Sequence, residues 1–200
     1  MRERRLWAVE WRRGDELLSA IEPTGEEIAG AAAVLAASYN DDHNRRMMAH
    51  EETLDAGEVV AYYGELRGEG GRPFLLQLDG ALVGDADLRN IEGATGEFAI
   101  MIGARAAQGR GLGTRYAIML HAFAFAVLGL DRLYMSVIPA NTASRRLFDR
   151  LGYAIDDSPE ARAFADEDSD VTMSIARARF EGLWRAELGQ IQTFERLTAS

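Results

Sequence analysis

Gln108-Gly109-Arg110-Gly111-Leu112-Gly113-Thr114-Arg115 is the stretch whose residue types and spacing point most directly to chemistry. It follows an apolar run, Phe98 to Ile102, and opens a long apolar helical pattern, so it reads as a strand, a glycine turn and a helix start. The opening amides of a helix lack carbonyl partners and carry partial positive charge, which makes such a turn a cradle for an anion. Glycines allow left-handed backbone angles and let a ligand approach the main chain closely. The expected task is therefore to hold a phosphate-bearing cofactor.

Two phosphate-binding turns fit poorly. A P-loop requires Lys-Ser or Lys-Thr after its last glycine, whereas Gly113 is followed by Thr114 and Arg115. The dinucleotide fingerprint requires a third glycine where Thr114 stands, and an acidic residue ending the next strand, whereas Asp131 begins one. What fits is Gln-x-x-Gly-x-Gly, carried by Gln108, Gly111 and Gly113. Arg105, Arg110 and Arg115 cluster around it as a local positive patch in an acidic chain.

With these residues the chain resembles the GNAT (GCN5-related N-acetyltransferase) superfamily, whose acetyl-CoA pyrophosphate sits on this turn. The downstream segment adds to the likeness: a strand, Arg132 to Ile138; an Asn at the next helix start, Asn141; and a closing Leu151-Gly152-Tyr153. The resemblance spans roughly residues 74–175 and is clearest over 97–153. Glu97-Phe-Ala-Ile-Met-Ile-Gly and Asn141-x-x-Ser144 look most like the Rim-type branch, which acetylates ribosomal-protein N-termini and other amines.

The resemblance implies acetyl-CoA as cosubstrate and a division of labour. Amides of Gln108, Gly109, Arg110, Gly111, Leu112, Gly113 and Thr114 would hold the diphosphate. Ile100-Met101-Ile102 would pair with the pantetheine arm and polarise the thioester carbonyl, and Asn141 would contact that arm while capping its helix. Glu97 is the one carboxylate of its apolar strand and matches the Rim-type Glu. Partial burial would raise its pKa from about 4.3 towards neutrality and make it the base. The bland alternative is an outward-facing carboxylate at a strand end. A tyrosine often protonates the departing thiolate in the superfamily, but position 148 is Phe. Ser144 matches the Rim-type serine and is nominated as acid instead, although a thiolate can leave with amides and water alone.

The elements that position these groups are readable along the chain. Leu6 to Trp11 reads as a strand. Thr24 caps a helix to about Ser38, and Tyr39 to Asn44 is a polar loop. Arg45 to Leu54 and Glu58 to Arg67 look helical. Phe74 to Leu78, the Asp79-Gly80 turn, Ala81 to Leu88 and Glu97 to Ile102 make three antiparallel strands. The helix from Gly111 is apolar all round and should be buried. A strand near Val171 to Ala176 follows an acidic loop. Phe180, Trp184, Leu188, Ile191 and Phe194 then form the stripe of a terminal helix, packed on its own domain or, alternatively, on a second copy in a homodimer.

Two hundred residues suit one domain, 1–200, with the shared core at about 74–175 and an accessory helix over 177–200. The expected fold class is α/β (α+β): a central, mostly antiparallel sheet of six or seven strands flanked by helices. The net charge of −10 opposes direct nucleic-acid binding and suits a cationic acceptor. Cysteine is absent, which excludes a cysteine nucleophile or thiolate metal site. No apolar run is long enough to span a membrane, so a cytoplasmic enzyme is expected. His43, His50 and His121 have no metal-ligand spacing, and no metal is expected. Asp85 and Asp87 alternate with Ala86, so they either grip a cationic amine or form a solvated edge. The expected reaction is direct attack of a primary amine, on a protein N-terminus or a small molecule. The rival is a catalytically silent acyl-CoA-binding module.

Overall fold

Alternation along three central strands sorts the side chains into two layers. On β3 (Arg72–Leu78), Phe74 and Leu76 enter the larger core, while Leu75 joins a second, smaller one. On β4 (Ala81–Glu92), Ala86 and Leu88 face the larger core; on β5 (Thr95–Ile102), Phe98, Ile100 and Ile102 do. The larger core is built on α4 (Leu112–Ala126), whose apolar circumference buries it against the sheet. The smaller core is built from α1 (Gly25–Tyr39) and α3 (Ala56–Gly68), on the opposite face. Both of those helices start in capping boxes, Thr24 with Glu27 and Asp55 with Glu58.

The structure is a computed structural model that describes residues 5–48 and 52–197. It also contains β1 (Trp7–Arg13), β2 (Glu16–Ile21), α2 (Asp42–Met47), β6 (Arg132–Val137), α5 (Thr142–Leu151), β7 (Ala154–Ile155), α6 (Pro159–Arg162), β8 (Val171–Ala176), α7 (Arg177–Leu183), α8 (Arg185–Leu188) and β9 (Ile191–Glu195). One sheet runs in the order β7-β8-β6-β5-β4-β3-β2-β1-β9. Every pairing is antiparallel except β5 with β6. The fold is mixed α/β, with helices on both faces of a mostly antiparallel sheet.

Among the described residues nine strands stand where six or seven were expected. One addition is β2, which turns back on β1 at Gly14. The short β7 is a second, and the third is β9, which corrects the expected terminal helix. Ile191 and Phe194 are three apart and fit a helical stripe, but the chain breaks after α8 and Ile191–Glu195 pairs with β1. That pairing covers an edge of β1 that would otherwise expose unpaired backbone groups. Helix α2 ends at Met47; of the helix expected over Arg45 to Leu54, residues 49–51 lie outside the described residues and 52–54 are not helical. Asn40 acts as a backbone mimic there: its side-chain oxygen accepts from Leu54 N at 2.8 Å and its amide donates to Leu54 O at 2.7 Å. Within the expected polar loop, Asp41 accepts from the amides of His43 and Asn44 and starts α2.

Candidate active site

Strands β5 and β6 pair over three residues and then part. Thr95 faces Arg132, Gly96 faces Leu133 and Glu97 faces Tyr134. Beyond them, Phe98 to Ile102 pairs only with β4, which leaves the other edge of β5 open. Such an edge can take an extended ligand by main-chain hydrogen bonds.

The open edge ends at the glycine turn. A 3-10 turn, Arg105–Ala107, leads in, and Gln108 fastens it by donating from Nε2 to Ile102 O at 2.8 Å. Gly111 caps α4 at φ 73°, a left-handed angle that costs other residues strain. The first intrahelical bond runs from Arg115 N to Gly111 O. The amides of Leu112, Gly113 and Thr114 therefore have no intrahelical acceptor, and they stand at the positive end of a 15-residue helix.

Between the turn and the start of α5 lies a cleft of about 490 Å³, the size of a small-ligand site. Its walls carry Ile100, Met101, Ile102, Gln108, Gly109, Gly111, Leu112, Gly113, Thr114, Asn141 and Ser144. Arg110 points elsewhere, to Glu16, which also holds Arg115; both contacts are 2.7 Å. Arg105 is paired with Asp41 at 2.7 Å. The arginine cluster is thus balanced by carboxylates of the protein itself. Asn141 Oδ1 accepts from Ser144 N at 3.0 Å, the cap the sequence implies. Phe148 is buried against Phe98 and Tyr153 and offers no proton.

Helix α2 is the part of the cleft that sequence reasoning missed. His43, Asn44 and Met47 line it, and Asn44 Oδ1 lies 3.3 Å from Gln108 Nε2. Asp41 before a short polar run was the available signal, and it reads equally as a turn.

The region from β2 to β7 carries a family signature: residues 21–154 match the model of the acetyltransferase (GNAT) domain. The chain belongs to the GNAT acetyltransferase family. It is an acyltransferase, and its cosubstrate is acetyl-CoA. RimJ of Mycobacterium smegmatis, solved with CoA-disulfide, is similar over 92% of this chain and 96% of its own, with 18% identity and a TM-score of 0.67. Spermidine N-acetyltransferase of Vibrio cholerae, solved with CoA and spermine, is similar over 84% and 99%, with 19% identity and a TM-score of 0.66. Aminoglycoside acetyltransferase AAC(6')-Ib, solved with coenzyme A and kanamycin, is similar over 77% and 94%, with 19% identity and a TM-score of 0.62. No curated protein matches the chain in sequence.

On the opposite sheet face the acetyltransferase carries a polar strip. Glu97 is buried there, accepting from Arg89 Nη2 and Asn90 Nδ2 at 2.8 Å each. Asp85 Oδ2 accepts from the hydroxyls of Tyr39 and Tyr63, at 2.5 and 2.8 Å. Asp87 Oδ2 lies 3.5 Å from the hydroxyl of Tyr62. Burial pushes the Asp87 carboxyl up to about 7, partly offset by Arg89 and reinforced by Asp85 and Glu97. Burial likewise pushes Asp85 up to about 6, against the hydrogen bonds from Tyr39 and Tyr63. Asp85 and Asp87 are thus buried rather than a solvated edge.

Of the histidines, His43 lines the cleft and His50 lies outside the described residues. His121 sits in the core between Ala117 O and the Tyr153 hydroxyl, 2.7 Å from each. Burial holds it down at about 3. Among the described residues no group of three or more His, Asp or Glu is arranged to hold a metal ion, and no helix is long and apolar enough to cross a membrane.

Proposed function

We propose that this acetyltransferase moves acetyl from acetyl-CoA to a primary amine by direct attack, the acceptor being a protein N-terminus or a small-molecule amine. The observation that carries the reading is the continuity of the open β5 edge with the unsatisfied amides of Leu112, Gly113 and Thr114. An extended arm lying on that edge would end with its anionic head on the helix start. Spermine and kanamycin, bound beside CoA in two structural relatives, support an amine acceptor. Dependence on acetyl-CoA accords with a cytoplasmic location.

In this reading the amides of residues 109–114 hold the diphosphate, the Gln108 amide being used within the turn as donor to Arg105 O; an amide of Ile100–Ile102 polarises the carbonyl, and Asn141 contacts the arm. Ser144, on the cleft wall, is the candidate donor to the departing sulfur. Glu97, the carboxylate the sequence nominates, is the candidate base for the amine, through a water. Each oxygen of Glu97 accepts one hydrogen bond from Arg89 or Asn90, which leaves lone pairs for a bridging water.

The test is to incubate the full chain with acetyl-CoA and amines (spermine, kanamycin and peptides with free N-termini) and to follow free thiol. Amine-dependent thiol release with acetylated product confirms the reading. Tight CoA binding with no turnover on any acceptor favours the silent binding module.

A further inference from the structure

Asp85, Asp87, Arg89 and Glu97 project from the same sheet face, because they alternate on β4 and because Arg89 pairs with Glu97. The face is covered by Tyr39 of α1 and by Tyr62 and Tyr63 of α3. Three buried carboxylates stand against one guanidinium. Buried charges are otherwise paired or neutralised. More tellingly, Oδ1 of Asp85 and Oδ1 of Asp87 are both buried without a hydrogen-bond partner; the nearest cation to the latter is Arg89 Nε, at 3.7 Å. These are two acceptors, beside the tyrosine hydroxyls, that the N–H groups of a cation would satisfy.

Register ties this site to the cleft. Asp85 lies directly across from Met101, which lines the cleft, and Asp87 lies across from Ala99, two residues before Met101 on β5. Glu97 lies at the fork of β5 with β6, each of its oxygens already accepting one hydrogen bond, from Arg89 or Asn90.

Resting on the acetyl-transfer reading, we propose that Asp85 and Asp87 seat the acceptor as a primary alkylammonium ion and that Asp87, in place of Glu97, takes its proton. Glu97 then acts as a positioning residue, holding Arg89 beside Asp87. The ammonium gives one proton to the Asp87 carboxylate, and the freed lone pair forms the C–N bond to the acetyl carbon of the thioester. The C–S bond breaks with its electron pair on sulfur, and the second nitrogen proton ends on the thiolate. The products are the N-alkyl acetamide, the free thiol and a protonated Asp87, which returns its proton to water. Arg89, Asp85, Glu97, Tyr62 and Tyr63 are the titratable groups around Asp87, and burial with the neighbouring carboxylates outweighs Arg89.

The test uses the full chain and 1,4-diaminobutane as probe, with 1-butanol as the uncharged control. In the wild type, carbon-13 spectra of labelled aspartates should show two carboxyls titrating near neutrality that shift on adding the diamine and not the alcohol. D87N and D85N should each remove one of these signals. By calorimetry D87N should weaken diamine binding about thirtyfold or more while leaving CoA binding unchanged. Two results overturn the proposal: aspartate signals in the wild type that ignore the diamine, or diamine affinity unchanged in D87N. The wild-type spectra judge the proposal even if D85N fails to fold. Absence of CoA binding in the wild type would instead sink the acetyl-transfer reading, and the diamine arm, run without CoA, still decides this one.

Discussion

Asn141 joins two walls of the cleft: its Nδ2 donates to the main-chain carbonyl of Met47 at 3.0 Å while its Oδ1 caps α5. A residue that reads from sequence as a routine cap therefore also holds α2 in place. Asn141→Ala should cost about 1 kcal/mol of stability, the worth of a cap, and should loosen α2. Asn141→Asp keeps the capping oxygen but loses the donor. It should melt near the wild-type temperature yet bind CoA more weakly; thermal melts and calorimetry on both variants check the split.

Gly111 gives the turn its shape. At φ 73° an alanine would be strained by about 1–2 kcal/mol. Gly111→Ala should weaken CoA binding while leaving the buried remainder of α4 helical by circular dichroism. Unaltered affinity would show that this left-handed angle is irrelevant to the ligand.

The raised carboxyls make stability depend on pH in an unusual direction. Asp85 and Asp87 bind protons more tightly folded, at about 6 and 7, than unfolded, at about 3.9. The native state is thus the more protonated between those limits, and the pair loses stability as pH rises from about 4 through 7. His121 opposes this: held neutral at about 3 when folded and titrating near 6.5 unfolded, it costs stability as pH falls below 6.5. Comparing wild type with Asp87→Asn at each pH cancels the histidine. The variant should melt higher than wild type at pH 8, and the gap should close towards pH 5.

Glu97→Gln separates the two carboxylates. The amide still accepts from Arg89 but no longer pairs with its charge. The pH–rate profile should keep its acidic limb with a reduced plateau, whereas Asp87→Asn should remove the limb. If Glu97→Gln alone abolished the limb, Glu97 would be the base.

Contiguous signals in the sequence carried much of this architecture. Thr24, the Asp79-Gly80 turn, Gly111 and Gly152 each mark a boundary with local chemistry, and the structure has its elements there. The glycine turn and helix start at Gln108 to Thr114 were legible because they are adjacent in the chain. Cross-strand register is not local. Nothing in Asp85-Ala86-Asp87 reveals that Met101 and Ala99 lie opposite, or that tyrosines from α1 and α3 cover the pair. The terminal stripe misled for a related reason: Ile191 and Phe194 fit a helical spacing, and only the free edge of β1 makes them a strand.

The central claim is that main-chain amides at the start of α4 hold the diphosphate of the cosubstrate. Its most direct measurement is a crystal structure of the full chain soaked with coenzyme A. Diphosphate density is expected within hydrogen-bonding distance of the amides of residues 109–114, with the pantetheine arm along the open edge of β5. Coenzyme A bound elsewhere, or these amides bare at saturating ligand, would contradict it.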